Sequence, residues 1–155
     1  LINELRKVIE YAGAGGTITK ESIDKLCIKQ IQAIIFDLTD YLGARNVGKA
    51  LEILKKLEYN KEPVQKILIT LYNHFKKLYI VKISNEYKTN LAESMNLKPN
   101  QMFLTRKYSE QARYFSKEEL RKIMDELINL DAGYKQGLID LDIGLNAILC
   151  RYCSK

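Results

Sequence analysis

Tryptophan is absent from this sequence, histidine occurs once, proline twice, and cysteine only three times in 155 residues. Each scarcity excludes something. A Ser-His-Asp or Cys-His arrangement needs an oriented base, and nothing marks a partner for the lone His74, whose ordinary role is a surface or packed position in a helix. Cys27, Cys150 and Cys153 are too few and too one-sided for a disulfide framework, which fits a reducing cytosol. With two prolines and eight glycines, long stretches run uninterrupted, which favours helices over many short strands. No run approaches 18 consecutive apolar residues, so no membrane-spanning helix is expected. The start, Leu1-Ile2-Asn3-Glu4, has no basic region followed by an apolar run and no initiator methionine. Leu1 already lies inside an amphipathic pattern, so the chain reads as part of a longer protein.

What is present is an ordinary globular composition, 46% hydrophobic and 28% charged, long enough to bury a core. The net charge of +6 is uneven. Residues 1–75 carry +2, residues 76–122 carry +6 and residues 123–155 carry −2. A local basic excess is what an anionic partner such as nucleic acid would meet, although a solvated lysine-rich helix surface has the same signature.

Apolar spacing of three and four residues recurs throughout, and no stretch alternates in period two, so the expected class is all-α. Residues 3–12 form a first helix with Leu5, Val8, Ile9 and Ala12 on one face, ended by Gly13 to Gly16. Thr19 caps a short second helix whose buried side would be Ile23, Leu26 and Cys27. Helices follow at about 31–42, at 46–58, and from Pro63 to about Tyr87. Apolar residues cover much of the circumference of the last of these, the mark of a helix central in its bundle. A short helix at 90–96 and a turn at Leu97-Lys98-Pro99 lead to a helix at 100–114. Ser116-Lys117-Glu118-Glu119 is a capping box opening the next helix, Gly137 ends it, and a last helix covers Leu141 to Arg151. The expected core includes Ile34, Leu38, Leu51, Leu54, Leu68, Leu71, Phe75, Leu78, Phe115, Leu120, Leu127 and Leu145.

Chemistry-bearing motifs are scarce. Gly13-Ala14-Gly15-Gly16 lacks the following Lys-Ser/Thr of a phosphate-binding loop and follows a helix, not a strand. Cys150-Arg151-Tyr152-Cys153 is a single Cys-x-x-Cys at the end of a helix, whereas a zinc site needs four ligands and a redox pair sits at a helix N-terminus. Glu118-Glu119 and Asp140/Asp142 are accounted for by helix starts and turns. No catalytic residue, cofactor site or metal site is expected. Tyr72 and Tyr79, seven apart and beside Lys76, Lys77 and Lys82, could stack on unpaired bases. Half-buried core with the hydroxyl reaching water is the preferred role. If nucleic acid is bound, Lys98, Arg106, Lys107 and Arg113 in the basic middle stretch are the candidate contacts.

The order of local patterns resembles the C-terminal part of the bacterial DNA polymerase III delta subunits of the clamp-loader family. Phe36-Asp37-Leu38-Thr39-Asp40-Tyr41-Leu42-Gly43, Lys49-Ala50-Leu51-Glu52-Ile53-Leu54 and Glu62-Pro63-Val64-Gln65-Lys66-Ile67-Leu68 are similar to the opening of that family's collar domain. Leu97-Lys98-Pro99, Gln111-Ala112-Arg113-Tyr114-Phe115-Ser116 with Leu120, and Asp131-Ala132-Gly133-Tyr134-Lys135-Gln136-Gly137 resemble later turns and packing segments. Gly133 and Tyr134 depart from the pattern, where Ala or Leu and then Ile are usual. The resemblance covers about residues 31–152. It implies a helical collar domain over 31–155, preceded in 1–28 by the tail of a lid domain. It also implies a cytoplasmic, non-catalytic role: holding together the clamp-loader ring that opens a sliding clamp on primed DNA. The partners it implies are other loader subunits, the gamma/tau and delta-prime collars. The sliding clamp would be met only through an N-terminal region that this sequence lacks. The alternative function is an independent helical nucleic-acid-binding module using residues 76–122.

Overall fold

A helix needs a stop as much as a periodic face, and the stops here are visible in the backbone. The computed structural model describes residues 2–153; the side chains of residues 2–5, 22, 24 and 27–32 lie outside what it describes. In chain order the helices are α1 (Ile2–Ala12), α2 (Lys20–Gly43), α3 (Val47–Tyr59), α4 (Val64–Tyr87), α5 (Leu91–Ser94), α6 (Phe103–Ala112), α7 (Lys117–Lys135) and α8 (Leu141–Cys153). A 3-10 turn, Pro99–Gln101, precedes α6. No strand occurs among the described residues, and the fold is all-α.

Three expectations change. The short helix after Thr19 and the helix from residue 31 are one continuous α2 of 24 residues. Neither glycine nor proline interrupts residues 20–42, so nothing stops the helical backbone between the two expected segments. Ile23 and Ile9, expected on buried faces, are exposed, whereas Val8 is buried. The expected helix at 100–114 divides into the 3-10 turn and α6, with Pro99 opening the turn.

The core is built from α2, α3, α4, α7 and α8 around Leu38, Leu54, Leu71, Phe75, Leu120 and Leu145. Of the expected core, Ile34 and Leu51 are only half-buried, packed on its margin, and the other ten are buried. Phe75 meets Phe115 edge-to-face with ring centroids 5.9 Å apart, the geometry that aromatic quadrupoles favour.

Helix ends follow from named donors. At the end of α7, Leu138 N–H donates to Gly133 O at 2.9 Å and Gly137 N–H to Tyr134 O at 2.9 Å. This double closure needs a left-handed residue, which Gly137 supplies with φ of 71°. Gly133, a departure from the family pattern, has a packing reason: a Cβ there would lie 2.6 Å from Ile139 Cδ1, so glycine lets the α7–α8 connection fold back onto the helix. The expected capping box on α7 is present, with Glu119 N–H donating to Ser116 Oγ at 3.0 Å and Ser116 N–H to Glu119 Oε2 at 2.8 Å.

The end of α2 uses the same closure with a costlier residue. Asn46 N–H donates to Tyr41 O at 2.8 Å and Arg45 N–H to Leu42 O at 3.0 Å. Arg45 holds φ of 56°, a left-handed conformation unfavourable for a residue with a Cβ. Its guanidinium offsets that cost. Nε donates to Tyr114 O at 2.7 Å, Nη1 to Tyr152 O at 3.0 Å, and Nη2 to both Glu119 oxygens at 3.1 Å. The group also lies 4.4 Å over the Phe115 ring, with its side chain only 10% exposed. The Ser116 backbone N–H, and then Arg45, hold the Glu119 carboxyl below the usual range against partial burial.

Two stability outcomes follow. Leu71→Ala or Phe75→Ala should each lower unfolding free energy by about 2–5 kcal/mol in urea titrations, because each opens a cavity in the centre of the core. Arg45→Ala should cost about 3 kcal/mol by breaking a largely desolvated pair and its carbonyl contacts. Arg45→Gly should cost about 1 kcal/mol less than Arg45→Ala, since glycine relieves the left-handed strain that alanine keeps.

Candidate protein interface

Helix α4 carries two apolar stripes where a helix at the surface of a globule needs one. The inner stripe, centred on Ile67, Leu71, Phe75 and Leu78, is buried against α2, α6, α7 and α8. The outer one is Ile69, Tyr72, the adjacent Tyr79 and Ile80, Ile83 and Tyr87, with a seven-residue gap between Tyr72 and Tyr79. Ile69 is 58% exposed and Tyr87 67%, while the other four are half-buried. Lys76 sits in the gap. The all-round apolarity of α4 therefore reflects a core face and a second face that is only partly covered, with Ile69 and Tyr87 exposed.

That face is bounded by neighbouring helices. Helix α7 runs antiparallel to α4: the Lys117–Glu86 ion pair, at 2.6 Å, ties the start of α7 to the end of α4, and Gln65 and Lys135 line one groove at the other end. Between them lies an apolar groove of about 510 Å³, walled by Ile69 and Tyr72 on α4 and by Leu127 and Ile128 on α7. Farther along α4, a second groove of about 520 Å³ is lined by Tyr79, Ile80, Ile83 and Tyr87, with Thr89 and Ser94 at its edge. The two lie end to end along one helix. Partly exposed apolar surface of this kind, here interrupted by Lys76, marks sites where another macromolecule docks.

The four basic candidates do not gather into one patch. Lys98 is exposed just before the 3-10 turn, and its backbone N–H donates to Gln101 Oε1. Arg106 is exposed and paired with Glu110 one turn on, at 3.0 Å. Lys107 points to α2, where it pairs with Asp40 at 2.5 Å. Arg113 is exposed at the end of α6, seven residues from Arg106 and so on the same side. Lys107 is thus occupied by a partly exposed ion pair between α6 and α2, and the other three remain exposed.

His74 is buried, 5% exposed, with its ring 5.8 Å from that of Tyr108. Burial pushes its pKa down to about 4, with a smaller opposing effect from Asp40, and its Nε2 meets no hydrogen-bond partner. It is a neutral packed histidine. Cys150 is exposed and Cys153 buried, where burial pushes the thiol up to about 12 and keeps it from acting as a thiolate nucleophile. The side chain of Cys27 falls outside the described residues. Among the described residues no group of three or more His, Cys, Asp or Glu side chains gathers as a metal site would require. Among the described residues no helix is long and apolar enough to cross a membrane. Tyr72 and Tyr79 are half-buried and packed against the core, as preferred for them.

The sequence pattern pointed to α4 but not to its outer stripe. Helical periodicity counts apolar residues without showing which neighbours cover them. The signal was the excess itself: more apolar positions around α4 than one core face can use.

Bundle and exposed stripe together define an all-helical domain with an uncovered apolar face. Residues 32–152 match the family model described as DNA polymerase III delta subunit, C-terminal domain, and the chain belongs to that family. It is 28% identical over 153 residues to the DNA polymerase III subunit delta of Bacillus subtilis, covering 96% of this chain and 43% of that protein. It is also 28% identical over 134 residues to a probable DNA polymerase III subunit delta of Aquifex aeolicus, covering 83% and 37%. Its fold is similar to the solved Bacillus subtilis DNA clamp loader delta protein, with a TM-score of 0.70 and 26% identity over 97% of this chain and 44% of that one. The chain spans less than half the length of these relatives.

His74 gives this domain an acid-sensitive element. Its folded pKa is below its unfolded value, so the unfolded state binds the extra proton between about pH 6.5 and 4. Stability is therefore full above about pH 6.5 and falls as pH is lowered towards 4, by about 3 kcal/mol from this residue. Urea midpoints measured between pH 7 and 4 should show the decline, and His74→Phe should flatten it.

Proposed function

We propose that this chain is an assembly domain of a bacterial clamp loader, and that the outer stripe of α4 docks against a helical collar of a neighbouring subunit. The single observation that carries the proposal is the uncovered apolar stripe along α4, ending in the exposed Tyr87 and bounded by the α4–α7 groove. An unpaired face of this length loses apolar surface to water unless a partner covers it. The relatives named as delta subunits supply the setting: partner chains would be the gamma/tau and delta-prime subunits, in the cytoplasm. The chain itself would contribute no catalytic group.

In this proposal residues 31–155 form the collar and residues 1–28 the tail of a lid domain. The junction then falls within α2, whose backbone is helical from Lys20 to Gly43. A continuous helix is a stiff connection, so movement of the lid would be transmitted to the collar.

The alternative of nucleic-acid contact rests on Lys98, Arg106 and Arg113 at the surface. Phosphate contact by such scattered charges would be weak, salt-dependent and without sequence preference. Reversing Lys98, Arg106, Lys107 and Arg113 together in the full-length protein separates the roles. Loss of DNA binding by an intact loader supports DNA contact, loss of assembly places the charges at an interface, and no change leaves them as solvated surface.

The docking proposal predicts that Ile69→Asp with Tyr87→Asp weakens co-elution with the other loader subunits by more than tenfold, since exposed anchors of this type dominate binding energy. The helical circular dichroism signal should stay unchanged. Unaltered assembly would contradict it.

A further inference from the structure

The corner where the end of α3 meets the start of α8 holds a carboxylate that is poorly placed in the chain by itself. Glu58 lies in the last turn of α3, where the negative end of the helix dipole disfavours an acid. Its Oε1 is buried without a hydrogen-bond partner. Partial burial, and then the charge of Asp142 in the first turn of α8, push the Glu58 carboxyl above the usual range, while Lys55 acts the other way. Neither Glu58 nor Asp142 has an ion-pair partner among the described residues. A lysine or glutamine at position 58 would suit the isolated chain better. A local rule broken in this way, with no compensation inside the fold, is expected where another molecule supplies the compensation.

The surroundings define the chemistry of that molecule. Asp140 and Asp142 line a groove of about 230 Å³ whose other walls include Pro63, Val64, Leu141 and Tyr134. Leu138 and Ile143, around the start of α8, are 74% and 72% exposed. Apolar walls beside carboxylates fit a long side chain with an aliphatic stem and a cationic head. Arginine suits the place better than lysine. Its planar fork can meet carboxylates on two different helices at once, and its face can stack on the Tyr134 ring.

We propose that this corner is a second docking site, which receives an arginine of a neighbouring clamp-loader subunit between Glu58 and Asp142 and lets apolar groups beside that arginine cover Leu138 and Ile143. This rests on the assembly role proposed above but not on the α4 stripe. Glu58 has already lost part of its hydration in the free chain, so pairing it costs less than pairing a fully solvated acid.

The experiment uses the full-length protein carrying Glu58→Gln, with the remaining clamp-loader subunits as one probe and N-acetyl-arginine amide as the other. Glu58→Gln should bind the subunits at least tenfold more weakly and with a shallower salt dependence. It should also unfold at a higher urea concentration than the unaltered protein at pH 7, because an unpaired, repelled charge has been removed. A carboxylate that served only the fold would give the opposite shift. Arginine amide should move the Val64, Tyr134 and Ile143 amide resonances saturably in the unaltered protein and not in Glu58→Gln. Unchanged subunit binding by Glu58→Gln, a loss of stability in it, or equal arginine amide responses in the two proteins would each overturn the proposal. Failure of the assembly role reads differently: the unaltered protein would bind no subunit while its arginine amide response persisted, which removes the partner named here and keeps the site.

Discussion

Arg45 connects parts of the chain that are far apart in sequence: the corner between α2 and α3, the α6–α7 connection through Tyr114 and Glu119, and the end of α8 through the Tyr152 carbonyl. The guanidinium is the only side chain with enough donors in a fixed fork to satisfy two backbone carbonyls and a carboxylate together. Its left-handed backbone aims the side chain inward, across the face of Phe115. Phe115 in turn meets Phe75 at the centre of α4. The orientation of α4, and therefore which of its residues are left outside, depends on this set of contacts. Lysine could not substitute, since an ammonium has three donors and no planar fork.

Given that orientation, the geometry of α4 sets the functional surface. Helices α6 and α7 flank it, α2 and α8 close the inner side, and the remaining arc faces outward. A purely structural helix would place lysine and glutamate there. This one places isoleucine and tyrosine, at the cost of exposing apolar surface in the isolated chain. Tyrosine suits such a position because its ring can be covered while its hydroxyl remains near water at the rim of a contact.

Much of the fold is legible in the sequence because local rules agree with one another. The capping box at Ser116 and Glu119, the left-handed stop at Gly137 and the periodic face of α4 each depend on near neighbours in the chain. What was illegible depends on distant ones. Arg45 at the end of α2 reads as an ordinary basic residue, and its role needs Tyr114, Glu119 and Tyr152, which lie 69 to 107 positions away. The merging of two expected helices into α2 shows the limit of face-based reasoning: the polar Lys29-Gln30 pair between them carries no stop for the backbone. Among the basic candidates, the pairing of Lys107 with Asp40 was equally hidden, since it joins α6 to α2. The outer stripe of α4 was half legible, present as an excess of apolar positions but not separable from the core face without its neighbours.

Side-chain footprinting of the full-length protein, alone and with the other loader subunits, is the most direct measurement of the central claim. Hydroxyl radicals label aromatic and aliphatic side chains in proportion to their exposure. Tyr87 at the end of the stripe and Tyr59 at the end of α3 are both exposed, at 67% and 88%. Assembly should protect Tyr87 and Ile69 several-fold and leave Tyr59 labelled as before. Equal labelling of Tyr87 and Ile69 in the free and assembled states would contradict the account.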